Sequence, residues 1–183
     1  MRWEALFADM QAQLDAALAM DRAAEVADLT RAELASVELA DRLRGAEGTD
    51  VRLVVAGGQL VAGRLLEVAA QWVLVAEGTR QALVPLGALV GVRGLPALSV
   101  PVAGLVARRL GLGQALRALA RDRVGVRIVT DGSELAGRIE RVGADHLDLT
   151  AGVDAAVYAR ADGQPDAHLW SVPFAALRVV RSD

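Results

Sequence analysis

A repeat within the chain limits the fold more than any other feature of the sequence. At a constant offset of 74 positions, seven residues between Gly58 and Gly78 recur identically between Gly132 and Gly152. In the first copy they are Gly58, Ala62, Gly63, Arg64, Val68, Ala70 and Gly78, and in the second Gly132, Ala136, Gly137, Arg138, Val142, Ala144 and Gly152. We therefore expect two copies of one small module.

The end of the module repeats at a larger offset. Residues 84–89 return with similar chemistry at 172–177, and Val92-Arg93 returns as Val180-Arg181, an offset of 88. The second copy thus holds 14 more residues than the first, the difference between the two offsets. These residues predict a longer hairpin between the third and fourth strands of the second copy, formed by residues 156–160 and 168–172.

Within each copy the apolar pattern is extended, and turn residues separate short strands. In the first copy it predicts strands at 52–55, 59–68, 72–76, 81–84 and 89–93, with a tight turn at 85–88. Gly63, in the middle of the second strand, indicates a bend, because glycine tolerates the distortion of a strongly coiled strand. The expected fold is mainly β with α: two tandem five-stranded SH3-like barrels, each preceded by a helix.

Helical spacing precedes both copies. Apolar residues from Trp3 to about Val26 form one stripe, and Thr30 with Glu33 has the pattern of a capping box that starts a second helix. Leu112, Leu116 and Leu119 predict a helix before the second copy. The expected organisation is a helical leader at 1–47, a barrel at 48–95, a linker and helix at 96–123, and a second barrel at 124–183.

The charge is unevenly divided along the chain. Residues 1–47 carry ten acids and five arginines, whereas the rest carries thirteen acids and fifteen arginines. The 183 residues include no cysteine, which suits a reducing cytoplasm. The most apolar run, 94–107, is too short to cross a bilayer. We expect a cytoplasmic protein with no membrane association.

No catalytic or metal motif emerges from the sequence. Asp145, His146 and Asp148 with Ser133 or Ser171 suggest a hydrolase, but no nucleophile motif surrounds either serine. The glycine pairs lack the context of a phosphate-binding loop, and two histidines without cysteine are few ligands for a metal. We therefore expect no enzyme activity, no cofactor and no metal.

A helix followed by five bent strands, with a glycine in strand two and a tight turn before strand five, resembles the Sm and Hfq-like fold. The segments starting at Gly63-Arg64 and Gly137-Arg138 are similar to the strand-two motif of Sm proteins, and Val92-Arg93-Gly94 is similar to their second motif. The chain also resembles a group of uncharacterised actinobacterial proteins, some of them labelled transcriptional regulators.

The Sm resemblance implies single-stranded RNA binding by an oligomer. Sm proteins hold bases with an aspartate and an asparagine, whereas this chain has Ala70 and Val73 in the first copy and Ala144 and Leu147 in the second. It also lacks the lysine-histidine pair of Hfq after strand four.

Arginines are the candidate nucleic-acid-binding residues. The densest run lies around the linker helix and could follow phosphates; with the arginine of the second Sm-type motif, the candidates are Arg93, Arg108, Arg109, Arg117 and Arg121. The alternative for the linker run is an ordinary solvated helix face, because no base-stacking aromatic residues are interleaved with it.

Two functions follow from these patterns. The first is a non-catalytic regulatory module that binds single-stranded RNA. The alternative is a protein-interaction scaffold that uses barrel edges and the acidic N-terminal helices to recruit a protein partner. Unpaired strand edges predict a homo-oligomer in either case.

Overall fold

The computed structural model describes residues 2–96, 111–151 and 169–182. The chain divides into two compact units, Met1–Glu38 and Leu39–Asp183. The helices are α1 (Arg2–Ser36), α2 (Leu39–Arg44) and α3 (Leu112–Arg121). The strands are β1 (Asp50–Val55), β2 (Gln59–Val68), β3 (Trp72–Glu77), β4 (Arg80–Pro85), β5 (Leu89–Arg93), β6 (Gly125–Val129), β7 (Glu134–Val142), β8 (His146–Ala151), β9 (Leu169–Pro173) and β10 (Val179–Ser182).

Residues Arg2–Ser36 of the N-terminal unit form one continuous helix, and the predicted capping box at Thr30 is wrong. The Thr30 hydroxyl donates a hydrogen bond of 2.8 Å to the Val26 carbonyl oxygen, one turn earlier in the same helix. A threonine that bonds backward in this way lies inside a helix rather than at its start. The break occurs instead at Val37 and Glu38, before α2.

The short helix α2 belongs to the C-terminal unit. Leu43 is fully buried in the first hydrophobic core, and nearby Ala46 is buried with it. Arg44 forms an ion pair with Asp41 within α2. The helix thus contacts β2 and contributes to the first core.

The ten strands of the described residues form one antiparallel sheet, in the order β5-β1-β2-β3-β4-β10-β6-β7-β8-β9. Each copy of the repeat contributes five adjacent strands in the same internal order, with its fifth strand beside its first. The copies meet where β4 pairs with β10. The prediction of a mainly β fold with an N-terminal helix is confirmed.

The strand pairing does not close either copy into a barrel. In the part of the chain that the structure describes, β5 pairs only with β1, and β9 pairs only with β8. The expected pair of separate closed barrels is replaced by an open sheet that runs through both copies. Strand β10 pairs with β4 of the first copy as well as with β6 of its own, which makes the ladder continuous.

Two hydrophobic cores share the strands at this junction. In β4, Ala82 and Val84 pack in the first core while Leu83 packs in the second; in β10, Val179 packs in the first and Val180 in the second. Successive side chains of a strand point to opposite faces. The junction strands are therefore buried on both sides and bind the two copies to each other.

Helix α3 covers the second core. Leu112 and Leu116 are buried there, and the helix packs against β7. The residues of the predicted hairpin at 156–160, its turn and His168 lie outside the described residues, so only its second strand, β9, can be compared with the sequence prediction.

Candidate nucleic-acid interface

Two arginines face each other on the outward side of β1 and β5. Arg52 in β1 lies directly opposite Arg93 in β5. Burial alternates along β1, with Val51 and Leu53 in the core and Arg52 exposed between them. Both guanidinium groups are therefore on the solvent side of the sheet.

In the part of the chain that the structure describes, neither arginine is neutralised by an acid. Among the described residues, no carboxylate forms an ion pair with Arg52 or with Arg93. Like charges placed directly opposite each other on neighbouring strands destabilise the pairing. Such a pair is favourable where a bound anion supplies the missing negative charge.

The second copy contains the same pair of arginines, and each of them forms an ion pair with a glutamate. Arg127 in β6 lies opposite Arg181 in β10, in the register of Arg52 and Arg93. Nη1 of Arg127 lies 2.7 Å from Oε1 of Glu134, and Nε of Arg181 lies 2.8 Å from Oε2 of Glu77. One copy thus has a neutralised arginine pair, and the other an open one.

Sequence and topology together explain this difference. The position that matches Glu134 in the first copy is Leu60, which has no charge. Glu77 reaches Arg181 from the neighbouring copy, across the β4–β10 junction. Arg93 lies on an edge strand, so no described strand stands beside it to supply an acid.

The arginine pair borders an open depression of about 560 Å³. Small residues leave room there, because Ala62 and Gly63 lie on the neighbouring strand β2. Asp50 borders the same depression and lies opposite Arg64 in the β1–β2 pairing. The depression is open to solvent and is not an enclosed cavity.

Two of the other predicted arginines, Arg117 and Arg121, do not join this pair. Arg117 and Arg121 lie on α3, which packs on β7, and six strands separate β5 from β7 in the sheet. Nη2 of Arg117 donates to the Gly143 carbonyl at 3.4 Å, while Arg121 is exposed in the last turn. Arg108 and Arg109 lie outside the described residues.

The residues that suggested a hydrolase form two separate pairs. The Ser171 hydroxyl donates to Oδ1 of Asp148 at 2.7 Å, so its proton is directed to a carboxylate and not to a histidine. His146 instead lies 2.9 Å from Oδ1 of Asp145 through Nδ1, and this hydrogen bond lowers the pKa of the Asp145 carboxyl. In the described ranges, no three acids or histidines cluster as metal ligands do.

Arg52 is the residue of this site that sequence reasoning missed. Arg93 was identified by its motif, but Arg52 carries no motif of its own. The repeat contains the relevant signal. Arg181 is the counterpart of Arg93, and Arg127, which lies opposite Arg181, is the counterpart of Arg52. Recognising it requires the strand register, because the repeat of the first strand is offset by 75 rather than 74 positions.

Comparison with known proteins returned no matching family model, no matching curated protein and no matching solved structure. Among the described helices, none combines the length and the apolar character needed to cross a membrane.

Proposed function

We propose that this protein is a non-catalytic regulatory module that binds single-stranded RNA through the outward face of β1 and β5. The observation that carries the proposal is the opposed pair of Arg52 and Arg93, whose counterparts in the second copy are both neutralised. We further propose that each five-strand set is related to the Sm-like fold without closing into a barrel, supported by its repeated strand order and by the register shift in its second strand.

The chemistry of the pair fits phosphate. Guanidinium groups present planar N–H donors that bind phosphate oxygens in a bidentate manner. An exposed sheet face with two such groups binds the phosphates of an RNA backbone without contacts that distinguish the bases. The absence of the Sm base-binding residues agrees with this mode, in which affinity comes from charge and sequence preference is weak.

The test is fluorescence anisotropy of a labelled single-stranded RNA with the nuclease-treated full-length protein, at 50 and 150 mM salt. We expect Arg52→Gln and Arg93→Gln each to weaken binding by roughly tenfold or more, since a hydrogen bond to a charged group contributes about 1.5–3 kcal/mol. Each lost phosphate contact is expected to reduce the salt slope by about 0.7.

The matched control is Arg127→Gln, which removes the equivalent arginine from the copy in which Glu134 already neutralises it. This variant should bind RNA like the wild type. Equal losses of RNA affinity at all three positions would indicate a general charge effect. Unchanged RNA affinity of Arg52→Gln and Arg93→Gln would contradict the proposed site. Weakening by Arg117→Glu or Arg121→Glu instead would place the RNA on α3.

A protein partner for α1 is the second candidate function, and an exposed apolar stripe favours it. Trp3, Phe7, Met10 and Leu14 follow one another at helical spacing, and each is more than half exposed. A helix with an uncovered stripe of this kind fits a groove on a partner or the stripe of another helix.

A photo-crosslinking residue in place of Phe7 tests this candidate in cells. We expect it to form a covalent adduct with a distinct protein, whereas the same residue in place of exposed Ala16, on the opposite face of α1, should form none. Equal labelling from both positions would show that α1 has no specific partner face.

A further inference from the structure

We infer that the protein has a second ligand site, a cavity beside α3 that takes a small organic cation with an apolar body. The cavity has a volume of about 380 Å³ and lies where α3 meets β3, β4 and β10. Its walls therefore come from both copies of the repeat. The inference is independent of RNA binding, because neither Arg52 nor Arg93 borders this cavity.

The walls of the cavity are mainly apolar. The sheet contributes Trp72 and Leu74 of β3, Leu83 of β4 and Val180 of β10, and α3 contributes Leu119. The volume falls within the range of roughly 300–1,000 Å³ that is typical of pockets for small molecules. Ordered water needs several polar partners, and these side chains offer few. The lining therefore favours an apolar or aromatic ligand body.

The repeat shows that this apolar surface is specific to the first copy. Leu74 lies opposite Leu83 in the β3–β4 pairing. The equivalent pair in the second copy is Asp148 and Ser171, which are joined by a hydrogen bond of 2.7 Å. The same strand positions are thus apolar in one copy and polar in the other, so the shared module does not by itself explain the apolar cavity.

Among the described residues, two carboxylates and no basic side chain border the cavity. Glu67 follows the register shift in β2, Asp122 is the C-terminal cap of α3, and both residues are exposed. In the same part of the chain, no arginine or histidine forms an ion pair with either acid. Negative charge at the edge of an apolar cavity favours a cationic ligand and disfavours an anionic one.

The position of Asp122 strengthens this preference for a cation. The C-terminal end of a helix carries partial negative charge, and its last carbonyl oxygens lack donors within the helix. Arg121 and Arg123, on either side of Asp122, do not border the cavity, and Arg123 instead borders a separate depression with Arg138. An ammonium group bound beside Asp122 therefore meets both the carboxylate and the negative end of α3.

The test follows the fluorescence of Trp72 in a full-length, nuclease-treated variant whose other two tryptophans are changed, Trp3→Phe and Trp170→Phe. The probe is 4-phenylbutylamine, whose ammonium group is charged at pH 7. The matched compounds are 4-phenylbutanol, which has the same body without charge, and 4-phenylbutyrate, which is negative. We expect a saturable change with the amine at a dissociation constant of roughly 0.1–1 mM. The alcohol should bind about three- to tenfold more weakly, and the carboxylate more weakly still.

Substitutions at the cavity separate the effect of charge from that of apolar contact. Glu67→Gln and Asp122→Asn should each weaken amine binding by about two- to fivefold and leave alcohol binding unchanged. Ala118→Phe, at an exposed position of α3 that borders the cavity, should abolish binding of both compounds by filling the space. Glu140→Gln removes an exposed acid at the separate depression and, as the matched control, should bind the amine like the parent protein.

Three outcomes would overturn the inference. Equal affinity for the amine and the carboxylate would contradict the role of the two acids. Binding that survives Ala118→Phe would place the compounds elsewhere on the protein. The absence of a saturable change in Trp72 fluorescence with all three compounds would show that the cavity is closed to small molecules. Because the assay contains no RNA and leaves Arg52 and Arg93 intact, none of these results would bear on the proposed RNA site.

Discussion

Arg178, which directly precedes β10, forms hydrogen bonds with the turn between β6 and β7. Its Nε and Nη2 each donate to a carboxylate oxygen of Asp131 at 2.6 Å, and Nη1 donates to the carbonyl oxygens of Ala175 and Leu177. The bidentate contact lowers the pKa of the Asp131 carboxyl and raises the pKa of Arg178.

Acid should weaken this contact. A carboxyl whose pKa is lower in the folded state stabilises the fold above its unfolded pKa, near the ordinary value of 3.8, and this contribution is lost as the pH falls through the folded pKa. We expect Asp131→Asn to lower the free energy of unfolding at pH 7 and to have a smaller effect near pH 2.5. Urea unfolding at both values measures this.

The same substitution at the exposed Asp21 of α1 is the control for loss of a negative charge. A pH-independent effect of Asp131→Asn would mean that the side chain matters through packing and not through its charge.

The second strand of each copy, β2 in the first and β7 in the second, carries a local irregularity in its pairing. The β2–β3 register shifts between Leu65 and Glu67, and the equivalent shift in the second copy lies between Ile139 and Arg141. Gly63 sits just before the first shift, where a Cβ atom would lie 1.9 Å from the carbonyl oxygen of Ala76. The bend therefore brings the backbone of β3 too close for any side chain.

Gly63→Ala should be strongly destabilising. The added methyl group meets backbone rather than a movable side chain, so β2 and β3 must separate, at a cost of about 1–3 kcal/mol or more. Gly87→Ala is the matched control, because a Cβ there has no neighbour within 4 Å. Denaturant unfolding compares the two variants, and equal stability would show that β3 can shift without cost.

At the scale of the whole molecule, the pairing of β4 with β10 joins the two copies of the repeat into one sheet. The β4–β10 pairing places alternate side chains in two cores, so the halves of the sheet are not independent modules. Among the described residues, the outer strands β5 and β9 are each paired on one side only, β5 with β1 and β9 with β8.

The sequence identified only part of the candidate site. Arg93 could be named from its motif, and the exposed stripe of α1 from its spacing. Arg52 could not be found in this way, because its role depends on lying opposite Arg93 and on lacking the acid that Arg127 has. Arg117 and Arg121 formed a dense run in the sequence, yet the fold places them on α3, which packs on β7 rather than beside β5.

The sequence by itself determined the two copies, the limits of most of their strands, the tight turn before the fifth strand and the bend at Gly63, because these follow from local patterns of apolar residues, glycine and proline. Only the tertiary structure decided that the copies form one open sheet and that one arginine pair is neutralised while the other is not. Strand pairing and ion pairing join residues far apart in the chain, such as Glu77 and Arg181, and no local pattern records which strand edge will meet which.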